Sequence, residues 1–208
     1  MRSYSRHKLI EDELNRLPTG RSSWIEKMVY RINKRVKVDY TISVPATVFL
    51  RILAFCDDVS ELSELIFTPA DLLDLLYDDF LMFTRRTDDV EVIHTQLMMK
   101  WNGTVKRFPT KVKSTNEKEG KSRFSSYIMV EEQEEKRENG KTINLQVSFV
   151  RKKALRGEIV FSDMSEQFPD HPFTLEKLLE ILLCDFIEEY KKGNHKEVLT
   201  RIVKNLNK

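Results

Sequence analysis

The chain repeats itself, and that constrains its folding more than anything else in it. Val38–Glu61 aligns with Ile143–Glu166 without a gap, and six of the 24 positions are identical: Ser43/Ser148, Leu50/Leu155, Arg51/Arg156, Asp58/Asp163, Ser60/Ser165 and Glu61/Glu166. After a one-residue shift, Phe67–Phe83 aligns with Phe173–Glu189. Seven of these 17 positions match: Phe67/Phe173, Thr68/Thr174, Leu72/Leu178, Leu73/Leu179, Leu76/Leu182, Asp79/Asp185 and Phe80/Phe186. Chance would match roughly one position in sixteen, against about one in three here.

Within each copy, hydrophobic periodicity suggests the elements. Ile143, Leu145, Val147 and Phe149 alternate with polar residues, as in a half-buried strand, and Val38, Tyr40, Ile42 and Val44 fall opposite them in the alignment. Asn139-Gly140 is a hairpin signal that pairs this strand with an earlier one around Tyr127–Val130. Gly157–Ser162 reads as a third strand. Thr174 then caps a leucine-rich helix (Leu178, Leu179, Ile181, Leu182, Phe186, Tyr190), and a shorter helix starts at Asn194. In the first copy, Thr68-Pro69-Ala70-Asp71 is a helix start, and Asp88–Met99 matches the shorter helix.

The expected fold is therefore α+β: two tandem copies of a three-stranded antiparallel sheet followed by two helices, packed as a pseudo-dimer. Residues 1–20 form an N-terminal helix, 21–100 the first repeat, 101–123 a basic linker and 124–208 the second repeat. This plan of antiparallel strands followed by helix, in tandem, is similar to single-stranded nucleic-acid-binding folds that act as dimers or pseudo-dimers.

Charge separates the copies. The first hairpin region, Arg21–Lys37, carries Arg21, Lys27, Arg31, Lys34, Arg35 and Lys37 against Glu26 alone, whereas its counterpart holds five glutamates. Asp57–Asp79 contains eight acids and no base, and the linker is basic again, with Lys106, Arg107, Lys111 and Lys113. Solvated faces explain such runs. The functional alternative is a pair of opposed patches. In that case Arg31, Lys34, Arg35, Lys37, Lys106, Arg107, Lys111 and Lys113 meet phosphates or an acidic partner, with Trp24, Tyr30 and Phe108 placed to stack on bases. The whole chain carries a formal net charge of only +2, so no global bias favours nucleic acid.

No catalytic constellation is legible. The four histidines are isolated, no Gly-rich phosphate loop or nucleophile elbow is present, and Cys56 and Cys184 read as buried free thiols. The duplicated Asp-x-Ser-Glu gives one speculative paired polar site, Arg51, Asp58 and Glu61 with Arg156, Asp163 and Glu166. There strand-end carboxylates could hold Mg²⁺, or simply cap a turn in each copy.

The sequence thus favours a non-enzymatic binding or regulatory protein working through protein–protein contacts, without a cofactor. A nucleic-acid-binding protein using the basic hairpin and linker is the alternative, and a divalent-metal-dependent enzyme the second alternative. With no signal peptide and no apolar run of membrane-spanning length, a cytoplasmic location without membrane contact is expected.

Overall fold

The computed structural model describes residues 2–15, 36–87, 89–104, 141–193 and 195–206. It contains helix α1 (Leu9–Asn15), strand β1 (Lys37–Pro45) and helices α2 (Ala46–Ser63), α3 (Pro69–Arg86) and α4 (Val90–Thr104). Strand β2 (Thr142–Val150) and helices α5 (Arg151–Gln167), α6 (Leu175–Lys191) and α7 (His195–Leu206) follow. The order strand–helix–helix–helix occurs twice, and the aligned residues occupy matching elements.

The expected pair of three-stranded sheets is not found among the described residues. Among the described residues there is one sheet, of two antiparallel strands, and each copy supplies one of them. Val38 stands opposite Phe149, Tyr40 opposite Val147, Ile42 opposite Leu145 and Val44 opposite Ile143. The alternating residues do share one inward face: all four of β1 are buried, as are Val147 and Phe149, while Ile143 and Leu145 are half-buried. The ladder joins strands about a hundred residues apart, whereas a hairpin signal bears only on near neighbours in sequence. Tyr127–Val130 and Asn139-Gly140 lie outside the described residues.

The supposed third strand, Gly157–Ser162, lies inside α5. Its Ile-Val-Phe run suits a strand, yet Ala154, Gly157, Glu158, Phe161 and Met164 are the buried positions. That is a helical stripe of period 3.6, and packing decides over β-propensity. The same stripe in α2 is Ile52, Phe55, Cys56, Val59 and Ser63.

Both copies share one hydrophobic core, running from Tyr4 to Ile202. The third helix of each copy packs on the first helix of the other, α4 against α5 and α7 against α2, while α3 lies against α6. Phe55 of α2 meets Phe186 and Tyr190 of α6 edge-on, at ring-centroid distances of 4.9 and 5.1 Å. Each fully buried Leu or Phe contributes about 1.5–3 kcal/mol, and here the gain depends on both copies being in place.

The two leucine-rich helices start alike. Thr68 accepts a hydrogen bond from Asp71 N, and Thr174 from Lys177 N, both at 3.3 Å. The Asp71 carboxylate returns a contact to Thr68 N at 2.9 Å, completing a capping box that Lys177 cannot form.

Residues 2–10 cross the second copy as a strap. Glu158, buried in α5, accepts hydrogen bonds from Leu9 N and Ile10 N, both at 3.1 Å, and from the Ser5 hydroxyl. One carboxylate thus satisfies the first amides of α1 from another element. Leu175 N donates to Tyr4 O at 2.7 Å, and Arg151 pairs with Asp12 and Glu13.

Candidate nucleic-acid interface

The inward side chains of the ribbon are apolar, so alternation forces the others outward. Lys37, Asp39, Thr41 and Ser43 of β1, with Asn144, Gln146 and Ser148 of β2, form the outer face. Thr41 is half-buried and the other six are exposed. Two cross-strand hydrogen bonds order this face. Ser43 Oγ donates to Asn144 Oδ1 at 2.8 Å, and Ser148 Oγ donates to Asp39 Oδ1. Residues 39 and 144 are the same position of the repeat, as are 43 and 148, so one arrangement is built twice with Asp in one copy and Asn in the other.

A helix begins at each end of the ribbon. Ala46 N donates to Lys141 O and Arg151 N to Val36 O, both at 2.8 Å. Neither α2 nor α5 has a side-chain cap, and neither carries an acid in its first turn. The positive dipole ends of both helices therefore lie beside Lys37, Lys141 and Lys152, although at α5 the carboxylates of Asp12 and Glu13 pair with Arg151 and those of Asp74 and Asp78 with Lys153. By contrast, α3 and α6 carry threonine caps and first-turn acids.

Of the basic residues singled out in the sequence, Lys37 opens β1 and is exposed. Arg31, Lys34, Arg35, Lys106, Arg107, Lys111 and Lys113 lie outside the described residues, as do Trp24, Tyr30 and Phe108. The acidic run is exposed but partly engaged within the fold. Asp74 and Asp78 hold Lys153 of α5 at 2.5 and 2.9 Å.

The paired Asp-x-Ser-Glu stretches stand neither at strand ends nor in turns. Arg51, Asp58 and Glu61 lie on α2, and Arg156, Asp163 and Glu166 on α5, all six exposed. The serines bond back to the preceding helical turn, Ser60 Oγ to Cys56 O at 2.8 Å and Ser165 Oγ to Phe161 O at 3.0 Å. Among the described residues, no three or more His, Cys, Asp or Glu side chains gather as metal ligands. Cys56 and Cys184 are unpaired, and burial pushes their thiols up to about 12 and about 11, so little thiolate forms near neutral pH.

Sequence reasoning missed the outer ribbon face. Its signal was present in the polar half of the alternation, Asp39-Thr41-Ser43 and Asn144-Gln146-Ser148. Only the apolar half of that alternation bears on the core. The chain matches no protein-family model, no curated protein and no solved structure. Among the described residues, no helix is long and apolar enough to cross a membrane.

Proposed function

We propose that this is a non-enzymatic binding protein that sets the outer face of its β-ribbon into the major groove of double-stranded DNA. The observation that carries the reading is the row of exposed hydrogen-bonding side chains on a two-stranded ribbon. The major groove is about 12 Å wide and admits such a ribbon, whose strands lie about 4.8 Å apart. Asn144 and Gln146 have the amide chemistry that reads adenine, Asp39 can accept from the cytosine amino group, and the hydroxyls of Thr41, Ser43 and Ser148 suit either role.

Backbone contacts fall to the ribbon ends, where Lys37, Lys141 and Lys152 sit with the uncapped starts of α2 and α5. Arg31, Lys34 and Arg35 immediately precede the ribbon in sequence and belong to the same proposal as phosphate-binding groups, together with Lys106, Arg107, Lys111 and Lys113 of the linker. The cytoplasmic location expected from the sequence is part of this reading.

The test is fluorescence anisotropy with random-sequence duplexes across a salt series, followed by selection from a duplex library. Affinity is expected to fall steeply with salt, with a log–log slope of about −0.9 for each phosphate neutralised. Asn144→Ala with Gln146→Ala is expected to abolish preference for the selected sequence while leaving non-specific affinity and melting temperature nearly unchanged. Absence of duplex binding at about 50 mM salt would remove the proposal.

A further inference from the structure

A second surface is carried by different residues and does not depend on the ribbon. Between α3, α4 and α6 lies a cleft of about 340 Å³. Its floor is apolar, with Leu76, Phe80 and Phe83 from α3, Leu97 from α4, and Leu182 and Phe186 from α6. Three pairs of identical repeat positions converge here: Leu76 with Leu182, Phe80 with Phe186, and Asp79 with Asp185. The cleft is therefore the seam where the two leucine-rich helices meet.

The rim is acidic. Asp79, Asp185 and Glu189 border the cleft, and among the described residues that line it Lys100 is the one cation. Lys100 pairs with Asp185, and Glu189 is held by Lys192 at 2.6 Å. Asp79 is exposed and makes no ion pair among the described residues. Next to it, Asp78 is committed to Lys153.

An apolar floor with an unpaired carboxylate at its edge selects a ligand that is apolar on one side and cationic beside it. We infer that the cleft docks an amphipathic helix of a partner protein, whose apolar stripe fills the floor and whose Lys or Arg meets Asp79. A seam between helices suits anchors at i, i+3 or i+4, and i+7 from one helix face. Its volume accommodates about two or three such side chains, the scale of an ordinary binding cleft. Acidic helices are repelled from the same rim, so the charge decides which amphipathic helices enter.

The experiment uses the full chain and two labelled model peptides of about five helical turns, both with leucine at the anchor positions. One has lysine at the remaining positions and the other glutamate. Fluorescence anisotropy is expected to give micromolar binding for the lysine peptide and at least tenfold weaker binding for the glutamate peptide. Asp79→Lys and Phe83→Ala are each expected to weaken the lysine peptide at least fivefold. Glu61→Lys, an exposed acid on α2 away from the cleft lining, serves as the control for general charge attraction and should leave binding within twofold. Melting curves check that the variants remain folded, and Asp79→Lys settles the matter should Phe83→Ala unfold. Equal binding of the two peptides, or equal weakening by Glu61→Lys and Asp79→Lys, overturns the inference. Failure of both peptides to bind overturns it as well. Duplex DNA binding is read separately, so either proposal can fail alone.

Discussion

Thr41 stands directly opposite Gln146 in the ladder, and the two occupy the same position of the repeated sequence. From this pair outward, every residue of one strand faces the counterpart of a residue in its own strand. Asp39 faces Ser148 while Ser43 faces Asn144, so the ribbon presents two related hydrogen-bonded pairs that differ by one charged group.

Asp39→Asn makes those pairs alike. The new amide oxygen can accept from Ser148 as Asn144 accepts from Ser43, so the melting temperature is expected to hold. Under the proposed function, removing a negative charge from this face raises non-specific affinity for duplex DNA a few-fold. Selection from a random duplex library is then expected to return a more symmetric site than the wild-type chain selects.

Gly157→Ala tests the seam between α5 and α3. A Cβ at this position would lie 2.1 Å from Tyr77 Oη and 2.8 Å from Leu175 Cδ1. Tyr77 has little freedom to retreat, being fully buried and donating to Lys153 O at 3.1 Å. Alanine gains about 1 kcal/mol of helix propensity, but overpacking costs about 1–3 kcal/mol. The net effect is a loss of stability, read as a lower midpoint in denaturant. The counterpart, Ile52, is a fully buried large residue, so the copies solved the same packing problem differently.

Thr68→Ala and Thr174→Ala each remove a helix cap. Each costs about 1 kcal/mol, and Thr68→Ala costs the more because Asp71 then loses its reciprocal partner. Parallel urea melts of the two variants give the comparison. An effect at Thr174 larger than at Thr68 would contradict the capping-box assignment.

Glu158→Ala releases the strap. The amides of Leu9 and Ile10 and the hydroxyl of Ser5 lose their shared acceptor, at a cost of about 1–3 kcal/mol. Hydrogen exchange is expected to accelerate first at Leu9 and Ile10, while amides within the ribbon remain protected. Uniform acceleration across both copies would show that the strap is inseparable from the core.

Acid should weaken the fold through His171. Its Nδ1 accepts from Phe173 N at 3.1 Å, while Nε2 faces Phe161 O at 3.1 Å and the Ser165 hydroxyl at 2.8 Å. A second ring proton would meet the Phe173 amide. Burial, mainly, holds the imidazole below its ordinary value of 6.5, and Arg2 and His94 add repulsion. The unfolded chain therefore takes up the proton first, so stability is complete above about pH 6.5 and declines as pH drops below it. Melting temperatures between pH 7 and pH 5 should show this decline, and His171→Asn should flatten it. The variant retains a slope from His94, which burial also lowers.

What the sequence disclosed followed from periodicity. The inward stripe of β1, the caps at Thr68 and Thr174, and the leucine faces of α3 and α6 are local patterns, and the structure carries them all. The pairing of strands was hidden because it is non-local. Alternation in Val38–Val44 shows that a strand has one buried face but not which strand lies beside it. Gly157 misled for a related reason. A glycine before Ile-Val-Phe suggests an extended segment, and the need for a small residue there comes from Tyr77, eighty residues away. The candidate interface went unread because polar residues on a strand leave no periodic demand on the core, and their function appears only when two such rows lie side by side.

Residues 39 and 144 belong to one polypeptide, so one codon can change while the other stays. An assembly of identical subunits has no such freedom, since any substitution appears on both sides at once. A chain built this way can tune its two strands separately and so, under the proposed function, can favour a target with unlike ends.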